Sequence, residues 1–363
     1  MAHVHNVWVS RALSDPCLFL ALLFAASAHR DMVQGTPHTT QTLYHQSQAL
    51  KALRERVNEA KQVSYEIAAS AITLTFYSMS GYNTASALIH KSGVLQMLAG
   101  CRNRGPEFEA LKALANVILF GLAVVVNEEA SYIRPDKALK RTDFRASDLL
   151  RRAVLRVSEV QGSLLTSDTT SQLQTVLEFI TSTEHASISD LYTLHKATLM
   201  ARSRETTILE TESRIMTGNK TAQIINKCCR LAINIFWSTL ESAVLFRGRK
   251  SLPASIDPTM ASPAPPTSLE MLRAIIQGLE LVTWKKHDPE ACLWICLTAA
   301  AACNDPASRV PFGAVVPPLL TASDTAEVLL AKECWKYSKW LTGFVSPGTG
   351  DTMVLIPEIT VGR

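Results

Sequence analysis

The chain has 363 residues, 36 Lys and Arg against 32 Asp and Glu, 47% hydrophobic residues and 19% charged ones. That balance excludes a disordered tail, a collagen-like chain and a linker protein, and it requires a packed core. A net charge of +4 without long runs of one sign gives no whole-chain field toward nucleic acid or an acidic membrane.

The first predicted element is the apolar run Cys17 to Ala28. It resembles a signal-peptide core, but Arg11 is the only basic residue before it, and about 12 apolar residues fall short of the roughly 20 needed to span a bilayer. Asp15-Pro16 reads better as an N-cap followed by proline in the first helical turn, so a buried helix is expected. Between Thr39 and Val57, Leu43, Leu50, Leu53 and Val57 recur at helical spacing, with Lys51, Arg54, Glu55 and Arg56 mostly outward. Helices follow over 61–79, through Val63, Ile67, Ala71 and Leu74, and over 83–98, ended by Gly100. The short connections at Asn58-Glu59-Ala60 and Ser80-Gly81-Tyr82 make these helices antiparallel neighbours. Leu114 to Val126 is a long apolar stretch read as an interior helix. Further helices are expected over 107–127, 144–160, 170–182, 187–216, 220–246, 268–285, 289–302 and 324–341, with a strand-like tail from Met353 to Val361.

Breaks fall at Gly100 to Pro106, at Asn127 to Thr142, and at Arg247 to Thr267, which contains five prolines. The expected fold class is all-α, an array of antiparallel helical hairpins packed into one large body. Its expected divisions are a helical region over 1–246, a proline-rich linker or loop over 247–267, C-terminal helices over 268–345 on the same body, and a tail over 346–363.

Chemistry-bearing patterns are sparse. Eight cysteines contain no Cys-x-x-Cys pair, so neither a structural zinc module nor a disulfide framework is indicated, and a reducing compartment suits them. Cys292, Cys296 and Cys303 share a helix face among Ala, Leu and Ile, where core packing competes with metal ligation as an explanation. The nine histidines form no His-Glu-x-x-His, and the one adjacent acidic pair, Glu128-Glu129, falls at a helix end. Gly218-Asn219-Lys220-Thr221 lacks the first glycine of a phosphate loop, and as a glycosylation sequon it carries no weight in an intracellular chain. No Gly-x-Ser-x-Gly elbow is present. The basic groups Arg247-Gly-Arg-Lys250, Lys137 to Arg145 and Arg151-Arg152 lack interleaved aromatics and read as solvated helix ends and loops. No catalytic, metal or cofactor residue is assigned, and no cofactor is expected.

Several segments nevertheless resemble the fungal-specific transcription factor domain, the helical regulatory region of fungal zinc-cluster transcription factors. Asp15 to Asp31, with its apolar run closed by Ala28-His-Arg30, is similar to the family's opening helix. Tyr44 to Arg56 is similar to the helix in which Tyr-His precedes an Ala-Leu-x-x-Leu seam. Ala68 to Met79 and His90 to Met97 resemble the next two helices, and Asp288 to Ala302 a late small-residue helix. The family's six-cysteine binuclear zinc cluster has no counterpart in this sequence, and its late Arg-x-Trp-Phe-like segment is represented only by Arg309-Val-Pro-Phe312. The resemblance implies a non-enzymatic effector-response domain in transcriptional control, acting through contacts with the transcription machinery or a partner regulator. A small-molecule effector is compatible with it. It further implies a nuclear location, or otherwise a cytoplasmic one, without secretion, membrane binding or direct DNA binding. The alternative is a helical enzyme or small-ligand carrier whose site is assembled from distant residues.

Burial alone accounts for Phe19, Leu23, Leu50, Leu53, Leu74, Trp294 and Trp335, all expected in the core. Tyr44, His45, His29 and Trp237 are the residues open to a second role, lining a cavity or hydrogen-bonding within the body.

Overall fold

A computed structural model describes residues 8–34, 36, 38–99, 101, 105–131, 133, 147–159, 165–183, 220–249, 266–278, 281–320 and 325–345. Among these residues the protein is 86% helical, has no strand, and packs 14 helices together, which makes it all-α as the hydrophobic periodicity implied. In chain order the helices are α1 (Pro16–Val33), α2 (Thr40–Glu59), α3 (Tyr65–Ser80), α4 (Thr84–Ala99), α5 (Pro106–Val126), α6 (Ser147–Glu159), α7 (Ser167–Thr183), α8 (Lys220–Arg249), α9 (Pro266–Gly278), α10 (Leu281–His287), α11 (Pro289–Ala302), α12 (Pro306–Gly313), α13 (Val316–Leu319) and α14 (Thr325–Val345). The expected helix over 187–216, the strand-like tail and residues 250–265 of the proline-rich segment lie outside the described residues.

Local chemistry sets most boundaries. Asp15, Asp288 and Asp305 each precede a proline at the first helical position, and their carboxylates accept from the backbone N–H groups of Leu18, Ala291 and Ser308 at 3.0, 3.1 and 2.9 Å. The proline gives up an N–H that had no intrahelical acceptor, and the aspartate satisfies the next one. Ser64 caps α3 in the same manner, so that helix starts at Tyr65 rather than at 61. Asn127 closes α5 in the left-handed conformation, φ 56°. The single helix expected over 268–285 is two: α9 ends at Gly278, the residue type least suited to continue a helix, and α10 opens at Leu281. Two short helices, α12 and α13, fall where prolines mask the periodicity.

Two hydrophobic clusters make up most of the core. The first gathers α1 to α4 and the N-terminal half of α5, around Leu18, Phe24, Ile67, Ile72, Leu74, Leu98 and Leu111. The second gathers α6 to α14 and the C-terminal half of α5. Its middle is α11, where every residue from Ala291 to Ala301 is buried, as expected of a helix that is apolar all round. A small third cluster of Met79, Ala87, Leu122, Val125, Val310 and Ala314 joins α3, α4, α5 and α12. Helices α1 and α5 are each long and apolar enough to cross a membrane by length and composition alone. In the fold, α5 spends that apolarity on all three clusters.

The outer helix α2 departs from its expected face. Leu53 is 8% exposed, but Leu43, Leu50 and Val57 are 51%, 37% and 41% exposed, and Phe19 on α1 is 43% exposed. The expectation of core for Leu50 and Phe19 is therefore wrong. Leu23 is half-buried, whereas Leu74, Trp294 and Trp335 are buried as expected. The reason is geometric. α2 packs against α1 and α3, and the face it turns to them is Thr42, Ala49 and Leu53, whose small members allow close approach. The stripe of Leu43, Leu50 and Val57 is rotated off that face.

Candidate functional site

No group of three or more His, Cys, Asp or Glu side chains is arranged to hold a metal among the described residues. The feature that ties distant parts of this chain together is instead a joint built on α5. Where α5 crosses α12, glycines replace side chains: a Cβ at Gly313 would stand 2.4 Å from Cγ2 of Val125, and one at Gly121 would stand 3.0 Å from Cγ of Pro317 and 3.5 Å from the Gly313 carbonyl. Close approach of the two helices therefore leaves no room for a Cβ at Gly313, while at Gly121 a Cβ would fit only tightly against Pro317.

Beyond the C-terminus of α5, the backbone corner at Asn127 and Glu128 receives α14. Trp335 donates its indole N–H to the Glu128 carbonyl at 3.2 Å, and Lys339 donates to the Asn127 carbonyl at 3.3 Å. Thr342 donates to Asn127 Oδ1 at 3.3 Å. The acidic pair at this helix end is engaged rather than free: Glu128 lies 3.7 Å from Lys91 on α4, and Glu129 3.8 Å from Lys339. Arg152 on α6 adds a 2.7 Å ion pair to Glu333 on α14, although burial still pushes the Glu333 carboxyl above its ordinary range. Deeper in, the hydroxyls of Thr298 and Tyr337 share a hydrogen bond of 3.0 Å between α11 and α14.

On the N-terminal side two polar knots hold the first layer. The Asp31 carboxylate, fully buried, accepts from the Thr42 hydroxyl at 2.6 Å, and from the Thr39 backbone N–H and hydroxyl at 2.9 and 3.1 Å. Those donors, the Thr42 hydroxyl foremost, hold the Asp31 carboxyl below its ordinary value. A helical turn at 8–12 docks through Arg11, whose guanidinium lies 4.4 Å over the Tyr65 ring. Arg11 also reaches Glu66 on α3 at 2.7 Å and Glu107 on α5, while Trp8 donates to the Tyr65 hydroxyl at 2.8 Å.

The residues left open to a second role are not brought together. His29 and Tyr44 are exposed, His45 lies edge-on to Tyr44 with ring centroids 5.6 Å apart, and Trp237 is buried among Phe179 and Phe236 at 5.1 and 5.2 Å. All eight cysteines are free and buried. Burial pushes the thiols of Cys228 and Cys303 up to about 12 and those of Cys229, Cys292 and Cys334 well above the ordinary value, so these are packing residues poorly suited to attack or to bind metal. Arg309 turns its guanidinium onto the Cys303 carbonyl at the C-terminal end of α11. Sequence reasoning missed the α5 joint because its glycines and Asn127 gain meaning only from partners roughly two hundred residues away.

No curated protein and no solved structure matches the chain. A family model does: it covers residues 2–115 of 363, the helices from the N-terminal turn to the first half of α5. The resemblance drawn from Asp15–Asp31, Tyr44–Arg56, Ala68–Met79 and His90–Met97 lies inside this match, and that drawn from Asp288–Ala302 lies outside it. Over residues 2–115, about a third of the chain, the protein is thus similar to the fungal specific transcription factor domain.

Proposed function

We propose that this chain is a non-enzymatic regulator of transcription that works through protein contacts, as an effector-response domain, and leaves DNA reading to a partner. The observation that carries the reading is the match of residues 2–115 to the fungal specific transcription factor domain. The setting such a domain implies is the nucleus, with the transcription machinery or a second regulator as its partner. The mechanism in keeping with the fold is a change of helix packing at the α5 joint. There, glycine contacts and the Asn127 corner couple the family-like layer to the C-terminal helices. An effector that bound one packing better than the other would shift the balance by its difference in affinity.

The test has two arms. Fused to an unrelated sequence-specific DNA-binding domain, the chain is expected to change the output of a reporter carrying that domain's site. The purified chain alone is expected to show only weak, salt-sensitive binding to duplex DNA. Unaided sequence-specific binding at moderate salt, or a fusion that leaves the reporter unchanged, refutes the proposal.

A further inference from the structure

We infer that Tyr65, Glu66 and Glu107 form a receptor for an arginine side chain, filled in this structure by the chain's own Arg11 and open to an arginine of a partner's basic peptide once the N-terminal turn lifts away. The contacts that define it converge on one guanidinium from two helices. Cζ of Arg11 lies 4.4 Å over the Tyr65 ring, one end of its fork 2.7 Å from Glu66 Oε1 on α3 and the other on Glu107 Oε2 on α5. A ring beneath and a carboxylate at each end suit a flat, weakly hydrated cation better than an ammonium. Two carboxylates for one cation also leave the emptied receptor anionic, which draws a basic segment and repels an acidic one.

The receptor is built on fixed parts, and its occupant is not. Glu66 and Glu107 lie in the first turns of α3 and α5, where the positive end of each helix favours a carboxylate whether or not Arg11 is present. The Tyr65 ring is wedged edge-on against Phe108 at 6.0 Å between centroids, and both rings belong to the first hydrophobic cluster. Arg11, in contrast, comes from a single helical turn, residues 8–12, too short to hold its shape alone. Three side chains fasten that turn: Arg11, the buried Ala12, and the half-buried Trp8 that donates to the Tyr65 hydroxyl at 2.8 Å. Val9 and the following Leu13 are 41% and 79% exposed. The Arg11 and Glu107 side chains are themselves 32% and 59% exposed, so exchange of the guanidinium needs no opening of the core.

The occupant that fits is a peptide with an arginine three residues after an aromatic, the spacing of Trp8 and Arg11 themselves, which puts both on one face of a helical turn. The inference stands apart from the transcriptional reading: it is read on the purified chain, and its failure leaves that reading untouched.

Titrate full-length Arg11→Ala and the parent chain with an end-capped peptide copying residues 8–12, and follow heat and melting temperature. Arg11→Ala is expected to stay folded, to melt earlier, and to bind the peptide saturably with recovery of its melting temperature. The parent should bind at least about tenfold more weakly, because its own turn occupies the receptor in nearly every molecule. The same peptide with citrulline in place of arginine should not bind, and Glu66→Gln added to Arg11→Ala should weaken binding about fivefold. If Arg11→Ala does not fold, Arg11→Lys, which keeps the charge and gives up the fork, takes its place with the same expectations. Absence of saturable binding by the variant, equal affinity in variant and parent, or equal binding of the citrulline peptide overturns the receptor. A parent chain that dimerises in sedimentation equilibrium and becomes monomeric in Arg11→Ala would assign the receptor to the turn of a second copy, and overturn the partner peptide as its occupant.

Discussion

The crossing of α5 and α12 gives the sharpest test, because it reverses the sign of an ordinary substitution. Replacing a helical glycine by alanine normally stabilises by up to about 1 kcal/mol, through reduced backbone freedom in the unfolded chain. At Gly313 the new methyl would sit 2.4 Å from Cγ2 of Val125, against a favourable carbon–carbon separation of about 3.5–4.0 Å. Valine in a helix is stiff at χ1 and cannot swing aside, so the helices must part or Val125 must leave its rotamer. Overpacking of this kind costs about 1–3 kcal/mol, enough to outweigh the propensity gain. Gly313→Ala is therefore expected to lower stability. Val125→Ala alone should also cost about 1–2 kcal/mol by removing two buried methyl groups. In the Val125→Ala background, however, Gly313→Ala should become neutral or stabilising, a coupling of about 1–3 kcal/mol. Urea unfolding followed by far-UV circular dichroism on the four proteins supplies the cycle. A Gly313→Ala variant more stable than the parent, or one whose cost is the same in both backgrounds, would refute the close approach of these helices.

On α2, Leu53→Asp should cost about 3 kcal/mol or more by burying an unpaired charge, while Leu50→Asp, one turn away on the outer stripe, should stay within about 0.5–1 kcal/mol; equal melting temperatures for the two would mean the helix face is misplaced. For Asp31, whose carboxyl is held below its ordinary value, the contribution to stability is fully present above the unfolded-state value of about 3.9 and fades as pH falls through the lower folded value. Asp31→Asn should consequently melt earlier than the parent at pH 7 and at pH 5, with the gap closing only below about pH 4; a gap that closes between pH 7 and pH 5 would contradict the assignment. The eight buried thiols should resist an aromatic disulfide reagent in the native chain and react together once it is denatured, so rapid native labelling of Cys228, Cys292 or Cys334 would show that α11 is not enclosed.

Helix identity was legible wherever apolar spacing and capping chemistry agreed. Asp15-Pro16 announces α1; the structure shows the same signal at work in Asp288-Pro289 before α11 and in Asp305-Pro306 before α12, a helix that periodicity alone passes over because Pro311 interrupts it. Which face of a helix turns inward was less legible. In α2 the leucine and valine stripe suggested one face, and tertiary contact selected another, because Thr42 must reach Asp31 and Ala49 must let α1 approach. The joint was not legible at all. Gly121, Gly313 and Asn127 are ordinary residues along the chain, and what they do is defined by Pro317, Val125 and Thr342. The same holds for Arg309: its sequence neighbours do not disclose that its charge lies beside a helix end.

The Asn127 corner also dictates an order of events during synthesis. Glu128 waits for Trp335, 207 residues later, and Asn127 waits for Thr342, 215 residues later. At about 5–20 residues per second, a ribosome needs roughly 10–40 s to deliver them. Through that interval Phe120 on the outer half of α5 lacks Trp335, the ring it packs against at 6.3 Å between centroids, and apolar surface left uncovered in a nascent chain favours aggregation. Shortening the chain before Trp335 would leave the Asn127–Glu128 corner without the partners that α14 brings to it.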